Sequence, residues 1–141
     1  MFAFIGKALN YLFSGSSQQV APVVVTPSQP QIYKRIPKKT RRLVWENYHG
    51  TNRFGLCYAC GNQLDSEQPY GWHCSHVISN NMGGNPTLEN LRTCCYTCNL
   101  KMKDNNLYTY IIAKNLNGPG RKNANRYFNQ YPEQRNFIRK K

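Results

Sequence analysis

The sequence predicts an α+β fold in which a strand–loop–strand–helix unit follows one pair of cysteines and includes a second pair where its helix begins. Three observations carry this prediction. The cysteine pairs are C-x-x-C segments at 57–60 and 95–98. Residues 72–79 and 91–95 have the β-branched and aromatic content of strands, and a Gly-rich loop separates them. The chain from residue 98 onward is helix-like.

Length and charge limit the kind of protein. A chain of 141 residues supports one domain with appendages, not two full domains. Nineteen Lys and Arg against six Asp and Glu give a formal net charge of +13, which predicts a polyanionic partner. Nucleic acid is the first candidate, an anionic membrane surface the second, and a solvated basic tail the third.

The cysteines raise a choice between disulfides and a metal ion. Residues 1–13 are apolar but lack the basic start and the small-residue cleavage site of a signal peptide, so we expect an intracellular protein that is not secreted. Clustered cysteines in a reducing compartment favour metal ligation. Two C-x-x-C knuckles supply four thiolates and leave no open position. They predict a structural zinc site formed by Cys57, Cys60, Cys95 and Cys98.

Two further cysteines stand outside these ligands. Cys94 is an alternative to Cys95, but the C-x-x-C spacing favours Cys95. We therefore expect Cys74 and Cys94 to be small buried hydrophobic residues. The 34 residues between Cys60 and Cys95 require a substantial element inserted between the knuckles. Because assembly of the ligands and folding are one event in so small a domain, zinc should supply much of its stability.

The chain divides into four predicted segments. Residues 1–14 place apolar side chains on one helical stripe, which either docks on a membrane surface or a partner protein or packs as a terminal helix. Residues 15–39 form a flexible Pro/Ser/Gln-rich linker and a basic arm. Residues 40–115 form the main domain, and residues 116–141 form a basic C-terminal helix and tail.

A basic run at 34–42 leads into the first predicted helix of the main domain. This helix spans 40–49, with Thr40 as its N-cap and Gly50 as its stop. The run either contacts phosphates, serves as a nuclear-import signal or is a solvated arm. Its candidates for nucleic-acid binding are Lys38, Lys39, Arg41 and Arg42.

Two more helices follow the cysteine unit. The first spans 107–115, and a turn at 117–120 separates it from a last helix at 122–131. The helical period turns three apolar residues of the first of these helices towards the core: Leu107, Ile111 and Ile112.

The segment 71–102, GWHCSHVISNNMGGNPTLENLRTCCYTCNLKM, resembles the HNH endonuclease family, also called ββα-metal or His-Me finger. The matching features are CYACG, the His in SHVIS, the GG loop, ENLRTCCYTCN and the basic stretch after it. The resemblance covers about residues 40–113 and is strongest to the zinc-containing, four-cysteine branch found in large DNA viruses and phages. It implies a zinc-stapled, treble-clef-like ββα-metal domain flanked by helices, with an extended N-terminal arm.

The resemblance implies a metal-dependent DNA endonuclease with His76, Asn90 and Asn99 at the three signature positions. His76 would be the general base, because imidazole accepts a proton near neutral pH. Asn99 would bind one magnesium or manganese ion, which polarises the scissile phosphate. Asn90 would hold the loop and orient His76.

One position departs from the family pattern. Many members have Asp immediately before the His as a second metal ligand, where this chain has Ser75. Three consequences stay open. His73, on the same strand face as Ser75 by period two, could replace the missing ligand. Asn99 could suffice together with water and substrate phosphates, or the protein could bind DNA without cutting it.

Further phosphate contacts are predicted beside the site, from Arg92, Lys101 and Lys103. The main alternative to an endonuclease is a non-catalytic, zinc-stabilised DNA-binding or packaging protein with a degenerate HNH site. A third hypothesis is a membrane- or capsid-attached interaction protein that uses residues 1–14. If the origin is viral, we expect the protein in the nucleus, the viral factory or the virion.

Overall fold

The computed structural model describes residues 35–137, and the elements below belong to that part of the chain. The predictions for residues 1–14, for most of the linker and for the end of the basic tail lie outside the described residues. The elements in order are α1 Lys38–His49, β1 Phe54–Leu56, β2 Gln63–Asp65, β3 His73–His76, β4 Leu91–Cys94, α2 Tyr96–Met102, α3 Leu107–Ala113 and α4 Arg121–Gln130. This mixture of helices and small antiparallel sheets confirms the α+β prediction.

The described strands form two separate antiparallel hairpins. In the first, Phe54 of β1 faces Asp65 of β2. In the second, β3 and β4 pair from His73–Cys94 to His76–Leu91. The second hairpin is the predicted strand–loop–strand unit, and its loop carries the short 3-10 turns Asn80–Met82 and Leu88–Asn90.

The strand β3 is shorter than the predicted 72–79 because the side chain of Asn90 interrupts the pairing. Val77 still donates its N–H to the backbone oxygen of Asn90, at 2.8 Å. One residue later, the N–H of Ile78 donates to the side-chain oxygen of Asn90 instead, also at 2.8 Å. The ladder of backbone hydrogen bonds therefore ends just after His76, and the chain leaves as a loop.

Helix α1 begins at Lys38, two residues before the prediction, and the prediction that Thr40 caps it is wrong. The residue before the helix is Pro37, with φ −61° and ψ 148°, and its carbonyl accepts the first helical bond from Arg41, at 3.0 Å. Because a proline disfavours helical geometry at the residue before it, the helix starts here. The predicted stop is confirmed, since Gly50 follows the helix with φ 59°.

The two later helices differ from their predicted ranges by one or two residues at their ends. Helix α3 ends at Ala113, since Asn115 takes a positive φ of 51° and cannot continue it. Leu107 and Ile111 are buried, and Ile112 is half-buried, as the helical period predicts. Helix α4 begins at Arg121, directly after the turn that contains Gly118 and Gly120.

The hydrophobic core joins the helices to the two hairpins. Its fully buried side chains include Val44, Leu64, Leu91, Leu107, Ile111 and Phe128. Cys74 and Cys94 are also buried, which confirms their prediction as small core residues. Within residues 35–137, no helix has the length and apolar character needed to cross a membrane.

Candidate metal centre and active site

The four predicted zinc ligands converge on one point. Cys57 follows β1, Cys60 lies in the turn after it, and Cys95 and Cys98 lie at the start of α2. Their four sulfur atoms lie within 4.8 Å of one another, and those of Cys60 and Cys95 are 3.8 Å apart. A tetrahedral zinc ion with Zn–S bonds of about 2.3 Å has sulfur–sulfur edges of about 3.8 Å. The cluster therefore fits a structural zinc and uses Cys95, as the spacing predicts, not Cys94.

Backbone N–H groups donate hydrogen bonds to two of these sulfurs, and such bonds stabilise the thiolate form. The N–H of Cys95 donates to the sulfur of Cys57 at 3.2 Å, and the N–H of Cys98 donates to the sulfur of Cys95 at 3.4 Å. A hydrogen bond with the neighbouring Cys94 thiol lowers the pKa of Cys57 to about 4, whereas burial raises the pKa of Cys60 to about 11. Since zinc binds thiolates, metal binding must release protons from the cluster.

A small polar pocket lies where β3, the loop after it and α2 meet. It has a volume of about 250 Å³, and both His76 and Asn99 line it. The two residues lie on different elements, the end of β3 and the middle of α2, which the zinc cluster and the second hairpin bring together. The other polar residues that line it are Ser79, Asn80, Asn81, Lys103, Asp104 and Asn105.

His76 has the protonation state that a general base needs. Its side chain is half-buried at the end of β3, and this burial lowers the pKa of His76 below the ordinary value of 6.5. Burial acts in this direction because it disfavours the charged imidazolium. The ring is therefore neutral at pH 7 and able to accept a proton.

Asn99 is positioned by a buried serine. The Oγ of Ser75, which is 1% exposed, donates to Oδ1 of Asn99 at 2.8 Å. The backbone N–H of Asn99 donates to the carbonyl of Cys95, one of the four clustered cysteines, at 3.0 Å. An amide oxygen has two lone pairs, so Oδ1 can accept this bond and still ligate a cation. The residue in the family's Asp position thus contacts Asn99 but does not itself line the pocket.

His73 lies away from the pocket that contains His76 and Asn99. Its ring packs against Tyr96, with ring centroids 5.4 Å apart. Burial, and to a smaller extent the charge of Arg41, lowers the pKa of His73. The structure thus brings Ser75 to Asn99 but does not bring His73 into the same pocket.

Asn90 clamps the loop that follows His76. Besides accepting from the N–H of Ile78, its Nδ2 donates to the carbonyl oxygens of Ile78 and Asn85, each at 3.0 Å. Its side chain therefore bonds the backbone two residues beyond His76, not the imidazole itself. The GG loop fits beneath this clamp, since a Cβ at Gly84 would overlap the carbonyl of Ile78.

The predicted phosphate-contacting residues lie in different places. Lys103 lines the pocket of His76, while Lys101 is exposed on α2. The Nη1 group of Arg92 already donates hydrogen bonds within the protein, to the carbonyl oxygens of Glu89 and Leu91, each at 2.9 Å. Its guanidinium also lies over the rings of two tyrosines, Tyr48 at 5.3 Å and Tyr58 at 5.5 Å.

The basic residues of α1 lie on another surface. Lys38, Arg41 and Arg42 line a cavity of about 630 Å³, and Lys39 is exposed beside it. None of these residues lines the pocket of His76. Sequence reasoning found the charges on α1 but missed this cavity.

Several pocket residues escaped the sequence analysis. The most notable is Asp104, five residues after Asn99 and one of only six acidic residues in the chain. Ser79 also lines the pocket, 6% exposed, and its buried Oγ has no hydrogen-bond partner within the described chain. The sequence does offer one indication of Asp104, because carboxylates are so rare in this basic chain that each of them is a candidate metal ligand.

Comparison with known proteins adds one finding to this geometry. No curated protein and no solved structure matches the chain. Residues 57–108 match the family model described as HNH endonuclease. The matched range begins at the first zinc ligand, Cys57, and contains all four cysteines of the cluster together with His76, Asn90 and Asn99. The likeness to HNH endonucleases is therefore shown for residues 57–108, the segment that carries the cysteine cluster and the pocket residues His76 and Asn99.

Proposed function

We propose that this protein is a metal-dependent DNA endonuclease that hydrolyses phosphodiester bonds. The observation that carries the proposal is the shared pocket of His76 and Asn99 inside the segment that matches the HNH family. A half-buried neutral imidazole and a carboxamide oxygen supply a base and a ligand for a hard cation in one small space. The net charge of +13 favours DNA as the polyanion.

In this mechanism His76 accepts the proton of the attacking water. Asn99 holds a magnesium or manganese ion, and Ser75 orients the amide through its hydrogen bond of 2.8 Å. When bound, the ion supplies charge stabilisation to the scissile phosphate and the leaving oxygen. Asn90 fixes the path of the chain after His76, and Lys103 contacts a substrate phosphate at the pocket rim.

The zinc cluster serves this site without taking part in the reaction. Four sulfur ligands leave no coordination position for water or substrate. Cys98 is the residue before Asn99 in α2, so the cluster fixes the start of the helix that carries the proposed cation ligand. The proposed role of zinc is therefore to hold α2 against β3.

A plasmid-nicking assay with magnesium or manganese tests the proposal. We expect the wild-type protein to convert supercoiled DNA and His76→Ala to lose about 100-fold or more of the rate, the contribution of a general base. Lys114→Ala is the control, because Lys114 is exposed at the end of α3 and outside the pocket. A His76→Ala protein that is folded, zinc-loaded and as active as Lys114→Ala would refute the mechanism.

The second candidate is a zinc-stabilised protein that binds DNA without cutting it. The observation in its favour is Ser75, which replaces the family's Asp with a neutral side chain that is buried and already bonded to Asn99. Binding of duplex DNA with no nicking under any divalent cation would support this candidate. Intracellular location, viral origin and docking through residues 1–14 stay predictions from the sequence.

A further inference from the structure

A second cavity, larger than the pocket of His76, lies away from the proposed active site. It has a volume of about 630 Å³ and lies between α1 and the loop that precedes β3. It shares no lining residue with the pocket of His76. We call it the α1 groove, and its cationic and aromatic lining residues are Lys38, Arg41, Arg42, Trp45, Tyr70 and Trp72.

The aromatic residues form a floor and a rim. Trp45 and Trp72 are 6% and 8% exposed, and their ring centroids lie 5.1 Å apart. Tyr70 stands at the rim, 83% exposed, with a positive φ of 59°. A bulky residue rarely adopts this backbone conformation, and such strain is concentrated at functional positions. The loop thus holds an exposed phenol ring at the mouth of the groove.

The charges of the α1 groove favour an anionic ligand. Two carboxylates also line it, but Glu46 pairs with Arg42 at 3.4 Å and Glu67 pairs with Arg53 at 3.0 Å. Lys38 and Arg41 pair with no carboxylate of the described chain. Arg41 instead lies over the ring of Trp72, at 4.8 Å from its centroid, and one of its N–H groups donates to the carbonyl of Trp72 at 3.3 Å, which leaves its other N–H donors for a phosphate. Cationic side chains beside aromatic rings are the combination that binds unpaired nucleotides.

We propose that the α1 groove binds single-stranded nucleic acid, with a base stacked on Tyr70 and the backbone phosphates near Lys38 and Arg41. The volume suits a ligand of nucleotide size. A duplex could contact Lys38 and Arg41 through its phosphates. It could not stack a base on Tyr70, because the bases of a duplex are stacked on one another and their faces are covered. The proposal does not depend on cleavage, since the groove and the pocket of His76 are separate.

Intrinsic fluorescence reports directly on this groove, because both tryptophans of the chain line it. The full-length, zinc-loaded protein carrying His76→Ala is titrated with a 12-nucleotide oligo(dT) and with a duplex of equal length. We expect saturable quenching by oligo(dT), tighter than by the duplex and weakened by salt. Absence of quenching at saturating oligo(dT), or equal affinity for the two ligands, would overturn the proposal.

Substitutions locate the site. Tyr70→Ala should raise the Kd for oligo(dT) about fivefold or more, because it removes a stacking surface. The matched control is Tyr131→Ala, another exposed tyrosine, which follows α4 and does not line the groove. Lys38→Ala should weaken binding and reduce its salt dependence, compared with Lys114→Ala. If Tyr70→Ala binds oligo(dT) as tightly as Tyr131→Ala does, the ligand lies elsewhere.

A separate observation concerns the missing metal ligand. Of the six acidic residues in the chain, Asp104 alone lines the pocket of His76 and Asn99. Lys103, just before it, follows α2 with a positive φ of 52° and lines the same pocket. The buried, unpartnered Oγ of Ser79 lines the same pocket and offers a further oxygen. One carboxylate, the amide of Asn99 and the hydroxyl of Ser79 therefore line a single pocket.

We infer that Asp104 supplies the carboxylate ligand that Ser75 cannot supply, and that it holds the divalent ion together with Asn99. This inference rests on the proposed function. Magnesium and manganese favour one or two carboxylates completed by other oxygens. Asp104 lies on the turn after α2, whereas the family's Asp position, Ser75, lies on β3. The negative charge at the metal site would therefore come from a different element of the fold.

Metal binding is measured directly, by manganese electron paramagnetic resonance on the full-length, zinc-loaded protein. Asp104→Asn should weaken manganese binding about tenfold or more. The matched control is Glu89→Gln, an exposed carboxylate outside the pocket. Unchanged manganese affinity in Asp104→Asn, with plasmid nicking by the wild type, would overturn the role of Asp104 and leave the endonuclease standing. Weakened manganese binding without any nicking by the wild type would support the ligand and refute the endonuclease.

Discussion

Removal of the Asn90 side chain is the sharpest test of how the site is built. Its Oδ1 and Nδ2 make three hydrogen bonds, one from the N–H of Ile78 and two to the carbonyls of Ile78 and Asn85. Each bond contributes about 0.5–1.5 kcal/mol. Water can replace part of them because the loop is largely exposed, so Asn90→Ala should lower the free energy of unfolding by about 1.5–3 kcal/mol.

Loss of the Asn90 side chain should also disturb the position of His76 in the proposed active site. Ile78, two residues after His76, donates its N–H to the Asn90 side chain, whereas Val77 donates to the Asn90 backbone and keeps its bond in the variant. Without the side chain, we expect the chain from Ile78 onward to loosen and the position of His76 at the end of β3 to become less fixed. We therefore expect nicking activity to fall even under conditions where Asn90→Ala is fully folded, since small displacements of a catalytic group are costly.

Urea unfolding, followed by circular dichroism on the zinc-loaded protein, measures the stability. The control is Asn85→Ala in the same loop, because Asn85 contributes only its backbone carbonyl to the clamp. Asn90→Asp keeps the acceptor but faces the carbonyls of Ile78 and Asn85 with a carboxylate oxygen in place of the Nδ2 donor, so it should also be less stable than the wild type at neutral pH. If Asn90→Ala costs no more than Asn85→Ala, the clamp does not hold the loop.

Three further predictions follow from the same structure. Removal of zinc by a strong chelator should abolish the circular-dichroism signal and the cooperative melt, and an unchanged melting curve would contradict a structural zinc. Burial lowers the pKa of His49, His73 and His76 below 6.5, so these side chains bind protons more weakly in the folded chain than in the unfolded chain. The free energy of unfolding should therefore fall as the pH drops below about 6.5. An unchanged free energy of unfolding between pH 7 and pH 5.5 would contradict this. DNA affinity should fall steeply with added salt, measured by fluorescence anisotropy, whereas a flat response would contradict phosphate contacts.

The local features of this fold could be predicted from sequence because each depends on a short pattern. Two C-x-x-C knuckles specify four sulfurs and exclude Cys94 by spacing alone. The end of α1 at Gly50 follows from the freedom of glycine to adopt a positive φ. The start of α1 depends on a short pattern as well, because the restriction that Pro37 imposes on the residue before it outweighs the capping preference of Thr40.

Features that depend on tertiary packing could not be predicted in this way. The length of β3 is set by a side chain 14 residues away, that of Asn90, which replaces a backbone partner. Arg92 carries the charge of a phosphate-binding residue, but nearby carbonyls and the rings of Tyr48 and Tyr58 occupy it. No periodicity in the sequence places Tyr70 at the rim of a groove whose cations come from α1.

Backbone hydrogen bonds connect the four-cysteine cluster to the two elements that carry the proposed active-site residues. Cys95 accepts the N–H of Asn99 through its carbonyl, and its sulfur caps α2 by accepting from the N–H of Cys98. On the other side, Tyr58 of the first knuckle donates its N–H to the carbonyl of Thr93 in β4, at 2.8 Å. The first knuckle is thereby fixed to the hairpin that carries His76, and the second to the helix that carries Asn99. A zinc ion bound by the four sulfurs would therefore set the relative position of His76 and Asn99, although neither residue is among its ligands.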